Sequence, residues 1–392
     1  MTRAAMVAAL LFCATGVGAS GEGVPPPDRA KLRAAYPNRK SEAAVDAALA
    51  WLAKHQDDDG KWDSREFMKH DPPGGKCDGA GKTQFGVGCT GLALLTFLGA
   101  GYTGANEPYA TTVARAIGFL RSSQDNEGCF GTRETQHFLY NHAIATWAIA
   151  EACWLTGREE LRANAKAAAK FLEAARNPKL AWRYRIRGGE NDTSLTGWSA
   201  LALRVCAFAG VEVDDESFAG ALRWIDLMTH RESGWVGYSM QGGQSARPAG
   251  LQDAFPADRT RAMTSIAVFV ELALGGRSDN CVFLPAGITA IQERLPQWTR
   301  DGAIDMYYWY WGSLAMKEVG GKPWTRWESS LTNAALAGQC KNGAEAGSWR
   351  PYDPWGADGG RVYATTMMTL ALESAYRYEG VFPKPPPKKG KG

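Results

Sequence analysis

An all-α fold, a double ring of six inner and six outer helices (an α6/α6 toroid), is what this 392-residue sequence predicts. Three observations lead there. Amphipathic segments alternate with segments that are apolar all round, six times at a spacing of about 45 to 65 residues, and such a period marks stacked repeats. A turn of one pattern, Gln56-Asp57-Asp58-Asp59-Gly60-Lys61-Trp62, recurs after amphipathic segments. Strand signals are nearly absent, and Pro and Gly fall between the helical segments. Closing six pairs in a circle buries the apolar segments inside the amphipathic ones. An open right-handed solenoid and a fused pair of bundles are the other ways to bury the same faces.

The first amphipathic segment starts at Ser41, where Val45, Ala48, Leu49 and Leu52 recur at helical spacing and Asp46 and Lys54 fall on the opposite face. In the turn that ends it, Gly60 supplies a positive φ, Gln56 reaches the turn backbone, and Trp62 lies flat beneath. The apolar partner is 89–100, stopping at Gly101. The second pair is 107–123 and 142–156, separated by Gln124-Asp125-Asn126-Glu127-Gly128-Cys129-Phe130, the same turn with Phe for Trp. The third is 159–176 with 193–209. The fourth is 216–229, closed by Gly234-Trp235, with 261–274. The fifth is 283–295 with 304–319. The sixth is 324–339, closed by Gly347-Ser348-Trp349, with 361–379. The toroid therefore spans 41–382.

Outside it, residues 1–20 read as a secretory leader, with Arg3 before an apolar run through Val17 and small residues at Val17-Gly18-Ala19. Residues 21–40, with Pro25-Pro26-Pro27, read as a linker, and 383–392 as a disordered Pro/Lys tail. An exported protein, periplasmic or secreted, is expected. No later run of about 18 uncharged apolar residues offers a membrane span. The net charge of +3 misleads: taking away Arg3 and the tail's Lys384, Lys388, Lys389 and Lys391 turns it to −2, so no basic nucleic-acid footprint remains. Seven cysteines follow Cys13, none in a CxxC pair, and the five histidines are scattered, so no structural zinc and no cofactor are expected. Cys77 with Cys89, in one glycine-rich loop, is the first disulfide to test. A monomer is expected.

The two repeat turns and the inner-helix endings resemble the prenyltransferase and squalene oxidase repeat, shared by terpenoid cyclases and protein prenyltransferase β subunits. The resemblance covers nearly all of 41–382. Tyr140-Asn141-His142, Asp192-Thr193-Ser194-Leu195-Thr196-Gly197-Trp198, Asp305-Met306-Tyr307-Tyr308-Trp309-Tyr310 and Gly360-Arg361-Val362-Tyr363-Ala364-Thr365 resemble a branch of exported bacterial toroids with no established activity. The resemblance implies a cavity that opens at the starts of the inner helices. It also implies chemistry that can be checked residue by residue. A cyclase would protonate its substrate from an Asp-x-Asp-Asp motif. None is present: Asp57-Asp58-Asp59 belongs to the repeat turn and Asp214-Asp215-Glu216 starts an outer helix. A prenyltransferase would hold zinc with Asp-x-Cys at an inner-helix start, whereas Asp279-Asn280-Cys281 precedes an outer helix. A complement-type thioester would need Gln three residues from Cys, and Cys89 is followed by Thr90-Gly91-Leu92.

The polar and aromatic residues at inner-helix starts remain as the candidate ligand-binding set at the cavity mouth. Tyr140 and His142 suit ligand binding or proton transfer, although a histidine satisfied by a carbonyl is the plainer reading. Asp192 and Asp305 are also natural helix caps; Asp192 with Thr193 and Thr196 offers more than a cap needs. Trp198, Tyr307, Tyr308 and Trp309 suit stacking on isoprenoid, sugar or cation, or core packing. Arg361, followed by Tyr363, sits at the positive end of a helix and calls for an acidic partner or an anionic ligand. Deeper, Glu151 and Arg204 occupy matching positions and suggest a salt bridge across the lumen floor. The glycine-rich loops 71–88 and 241–258 are expected over the mouth. A non-catalytic binding or interaction module fits this set best, its ligand or protein partner unidentified. An isoprenoid cyclase or transferase, and a glycan-active enzyme with a carboxylate pair, are the alternatives.

Overall fold

The computed structural model of the chain describes residues 23–275, 281 and 283–382. The leader read at 1–20, the tail 383–392 and the Asp279-Asn280 pair lie outside the described residues. Among these residues the chain forms α1 (Arg29–Ala35), α2 (Arg39–Lys54), α3 (Gly86–Gly99), α4 (Ala110–Ser122), α5 (Phe138–Thr156), α6 (Glu159–Ala175) and α7 (Thr193–Phe208). It continues with α8 (Asp215–Met228), α9 (Ala262–Val270), α10 (Leu284–Gln292), α11 (Met306–Val319), α12 (Gly321–Gly338) and α13 (Gly356–Glu373). Among the described residues no helix is long and apolar enough to cross a membrane.

The inner ring is α3, α5, α7, α9, α11 and α13. Each packs on the next, and α13 packs on α3, so the circle is closed and neither the open solenoid nor the fused bundles describes it. Buried all round, these helices carry apolar residues on every face; in α5, sixteen of the nineteen residues are buried. The outer helices are amphipathic and sit in the grooves behind, with α12 meeting α2 across the seam.

The repeat turn explains the closure. Gln56 donates from Nε2 to the Gly60 carbonyl inside its own turn (3.0 Å) and to the Thr112 carbonyl of α4 (3.0 Å). Gln124 does the same for Gly128 (3.1 Å) and for Asn164 of α6 (3.0 Å). Gln339 joins Gly347 (2.9 Å) to Ala44 of α2 (2.8 Å), tying the last outer helix to the first. Beneath the turns the Trp62, Trp182 and Trp349 indoles each donate to a carbonyl of the preceding outer helix at 2.8 Å. Gly60 has φ +94, and a Cβ there would stand 2.2 Å from the Arg115 carbonyl of α4.

Two expectations are corrected at the floor of the ring. The described part of 21–40 is no plain linker, because it includes α1, whose buried Arg29 plugs the lumen. Arg29 reaches Glu151 (2.5 Å) and the Leu98 carbonyl (3.2 Å). Glu151 pairs with Arg29 and Arg377, not with Arg204, and also accepts from the Trp147 indole and the Tyr378 hydroxyl, both at 2.8 Å. Burial opposes the Glu151 charge, but the two guanidinium groups outweigh it and hold its pKa below the usual value. Arg204 instead lies over the Phe208 ring at 4.9 Å. All seven described cysteines are free thiols, Cys77 and Cys89 included.

Gly60→Ala should lower stability by about 2–4 kcal/mol, since it combines a disfavoured φ with a backbone clash. Gly157→Ala is the comparison. It ends α5 at φ +66 with nothing within 4 Å of an added Cβ, so about 1 kcal/mol is expected. Equal losses in denaturant midpoints would show that the close approach to α4 contributes nothing.

Candidate functional site

At the end opposite the plugged floor, the starts of the inner helices surround a cavity of about 160 Å³. Tyr140 (α5), Trp198 (α7), Tyr307 (α11) and Tyr363 (α13) form its walls. Loop residues Phe85, Tyr184, Tyr238 and Trp355 complete a girdle of aromatic rings. The polar groups among them are ordered by hydrogen bonds. The Tyr140 hydroxyl donates to Ser194 Oγ (2.8 Å), which lies 2.7 Å from the Tyr307 hydroxyl. Tyr184 and Tyr238 share a hydrogen bond between their hydroxyls. Burial pushes the Tyr140, Tyr307 and Tyr363 phenols up, so they remain neutral. Among the described residues one carboxylate, Asp358, reaches the wall, and Lys82 holds it in an ion pair. His137, half-buried at the rim against Tyr184 (ring centroids 4.8 Å), has its pKa lowered by burial in spite of Asp358 and is neutral at pH 7.

Four of the twelve candidates therefore meet in the cavity; the other eight have different positions. His142 is fully buried behind the wall. Its Nδ1 accepts the Phe130 N–H of the repeat turn (3.1 Å) and its Nε2 donates to the Ala168 carbonyl (3.2 Å). Thr90, Thr264 and Thr365 accept the corresponding turn N–H groups in three other repeats, so His142 is a turn anchor. Burial pushes its pKa down to about 3, which keeps the ring neutral. Thr193 fastens the 237–238 backbone: its N–H donates to the Tyr238 carbonyl (2.9 Å) and its Oγ1 to the Gly237 carbonyl (2.7 Å), while Oγ1 accepts from the Trp224 indole of α8 (3.2 Å). Thr196 is buried in α7. Asp305 caps α11 through the Tyr308 N–H and pairs with Arg247 at 3.0 Å. The Tyr308 hydroxyl points outward and shares its one proton between the Arg294 carbonyl (2.8 Å) and the Ile291 carbonyl (3.1 Å), and Trp309 packs near Trp298 (centroids 6.2 Å). Arg361 has its acidic partners: Asp78, and Glu345 at 3.0 Å, with Ser348 Oγ at 2.9 Å. Loops 71–88 and 241–258 do border the mouth, contributing Phe85 and Ala246.

His137, Ser194, Tyr184, Tyr238 and Trp355 were not singled out from the sequence. A signal existed for two of them. Tyr184 and Tyr238 follow Trp182 and Trp235 by two and three residues, where the chain leaves a repeat turn for the next inner-helix start.

Asp192 is the most unusual group behind the wall. It caps α7 by accepting from the Leu195 N–H (2.7 Å), while its Oδ2 has no hydrogen-bond partner and Arg183 stays 3.9 Å away. Burial dominates and pushes its pKa up to about 7. Between the unfolded value near 4 and this folded value, the native state binds the extra proton, so stability falls as pH rises from about 4 to 7. Asp192→Asn keeps the cap and should flatten that fall by about 1–3 kcal/mol in urea unfolding curves at pH 4.5 and 7.5. An unchanged pH dependence would mean that Asp192 titrates normally.

No protein-family model and no curated protein matches this sequence. Solved structures do. An apo type II terpene cyclase, MstE from Scytonema, aligns over 88% of this chain and 99% of its own, at 13% identity and a TM-score of 0.54. An inactive variant of an α-1,6-mannanase of Salegentibacter, in complex with α-1,6-mannotriose, aligns over 86% and 99% at 11% identity, with a TM-score of 0.58. An α-amylase from Clostridium perfringens aligns over 84% and 97% at 11% identity, with a TM-score of 0.54. The fold implied by the prenyltransferase and squalene oxidase resemblance is thus the fold observed: this chain is an α/α toroid, built like the type II terpene cyclase and these toroidal glycan-active proteins.

Proposed function

We propose that this protein is an exported, non-catalytic binding module whose aromatic mouth cavity holds one compact group, a sugar ring or a methylated ammonium. The observation that carries this reading is the cavity itself. At about 160 Å³ it matches cavities that take a single benzene-sized ring. Ligand sites for larger molecules occupy roughly 300–1,000 Å³. Stacking on Trp and Tyr faces, and attraction of a cation to them, are the interactions such walls offer. Export is supported by the apolar leader read at 1–20.

The cyclase or transferase reading has less behind it. An isoprenoid chain would have to extend beyond the cavity, and Asp192, the buried acid with a raised pKa, lies behind the wall and not in it. The glycan-enzyme reading needs two carboxylates flanking a bond, whereas the described wall carries Asp358 alone, paired to Lys82.

Trp198 and Trp355 make the site readable by intrinsic fluorescence. The full chain should respond to tetramethylammonium or methyl α-mannoside, and Tyr307→Leu should weaken that response about 2- to 10-fold. Silence towards both probes, or turnover of an isoprenoid diphosphate or a polysaccharide, would overturn the reading.

A further inference from the structure

Away from the mouth cavity, His55, Asp71 and Cys77 are brought together beneath the first repeat turn, with their potential ligand atoms all within 4.8 Å of one another. His55 ends α2, Asp71 follows the short turn Phe67–His70, and Cys77 lies on the loop beyond. His55 is 0% exposed, Asp71 8% and Cys77 3%. His55 Nε2 stands 2.9 Å from Asp71 Oδ1, and Cys77 Sγ stands 3.5 Å from that same oxygen.

We propose that His55 Nε2, Asp71 Oδ1 and Cys77 Sγ form a buried binding site for a zinc-class divalent cation. Nitrogen, oxygen and sulfur donors held by zinc at tetrahedral angles lie about 3.3–3.6 Å apart, so small side-chain rotations bring these atoms to bonding positions. Their outer partners are those that ligands of this kind use. His55 Nδ1 donates to the Trp51 carbonyl at 2.7 Å, which leaves Nε2 as the lone-pair donor, and the Cys77 N–H holds the other Asp71 oxygen at 2.8 Å. Since Nδ1 spends the one proton of a neutral imidazole, Nε2 and Asp71 Oδ1 are two acceptors facing each other. A proton on Nε2 pairs it with Asp71 Oδ1, to which the Cys77 thiol also donates; a cation replaces both protons and bonds all three atoms directly. Trp51 stacked on the imidazole at 4.1 Å and Phe67 at its edge cover the His55 side of the site. Arg361, a cation whose field reaches Cys77, is neutralised by Asp78 and Glu345. On binding, the Cys77 thiol releases its proton to solvent and the thiolate bonds the metal, leaving a fourth position for water.

This site differs in place from the zinc anchor that the prenyltransferase resemblance implies, which belongs at an inner-helix start. It departs from the expectation of no metal, which rested on the lack of a CxxC pair and on the scattered histidines. Its consequence is structural: the cation would fasten loop 71–88, which carries Phe85 into the mouth, to the end of α2. The test uses the full chain, prepared without metal-affinity resin and dialysed after incubation with zinc. About one zinc per chain should be retained, and the cobalt-substituted protein should show thiolate-to-cobalt charge-transfer absorption. Cys77→Ala should abolish that absorption and weaken zinc binding at least about 10-fold. Retention of fewer than about one zinc per ten chains by the folded wild type, or cobalt binding without the thiolate band, would overturn the proposal. Both readings come from the wild-type chain, so they decide even if the variant does not fold.

Discussion

The repeat turn must touch the next outer helix at backbone distance, and everything else in the ring follows from that contact. In four repeats the turn glycine lies against a neighbouring helix: Gly60 on α4, Gly128 on α6, Gly234 on α10 and Gly347 on α2. In the third repeat the roles reverse, and Gly220 of α8 receives the Leu180 carbonyl, where a Cβ would be 2.1 Å away. In the fifth, Gly338 of α12 receives the Trp298 ring. A side chain at any of these points would push neighbouring outer helices apart. Because the same step is taken six times, small separations would add up, and the seam between α12 and α2 would not meet. The glutamine amides then fill the carbonyls exposed by the approach, so closeness carries no unpaired acceptors with it.

Closure gives the two ends of the lumen different chemistry. At the floor, Arg29 from outside the repeats joins Glu151, Arg377 and Glu373, all deeply buried. Such a network costs desolvation and is stable only when each charge keeps its partners. It fills the hollow with polar contacts that a ligand cannot displace without leaving charges bare. At the mouth, the inner-helix starts bring aromatic rings and neutral hydroxyls, and the ion pairs of Arg361 and of Asp305 lie behind the wall. Among the described residues, the apolar opening is thus the part of the lumen free of such a charge network.

The residues at inner-helix starts serve two masters, and this is why position along the chain did not assign them. A helix start has four directions, of which one faces the lumen. Tyr307 and Tyr308 are adjacent, yet Tyr307 faces Ser194 and the cavity while Tyr308 reaches outward to α10 and the turn after it. His142 is satisfied by a carbonyl, the plainer of its two readings; its place in the repeat is that of Thr90 and Thr365, which accept a turn N–H. Asp192 and Asp305 are caps, as their position before the helices implies.

What the sequence determined alone is periodic: helix type, the order of outer and inner segments, the turn with its Gln, Gly and Trp, and the caps. These depend on neighbours within a few residues, or on one face of one helix, so they are written locally. The joining of chain-distant groups was decided only in three dimensions. His55 meets Asp71 and Cys77 without any spacing motif, Arg29 reaches a floor built from α5 and the end of α13, and Tyr184 and Tyr238 meet across two repeats. Such meetings depend on how far the ring turns per repeat and on which side chain remains when the other directions are filled, and no local pattern carries that information.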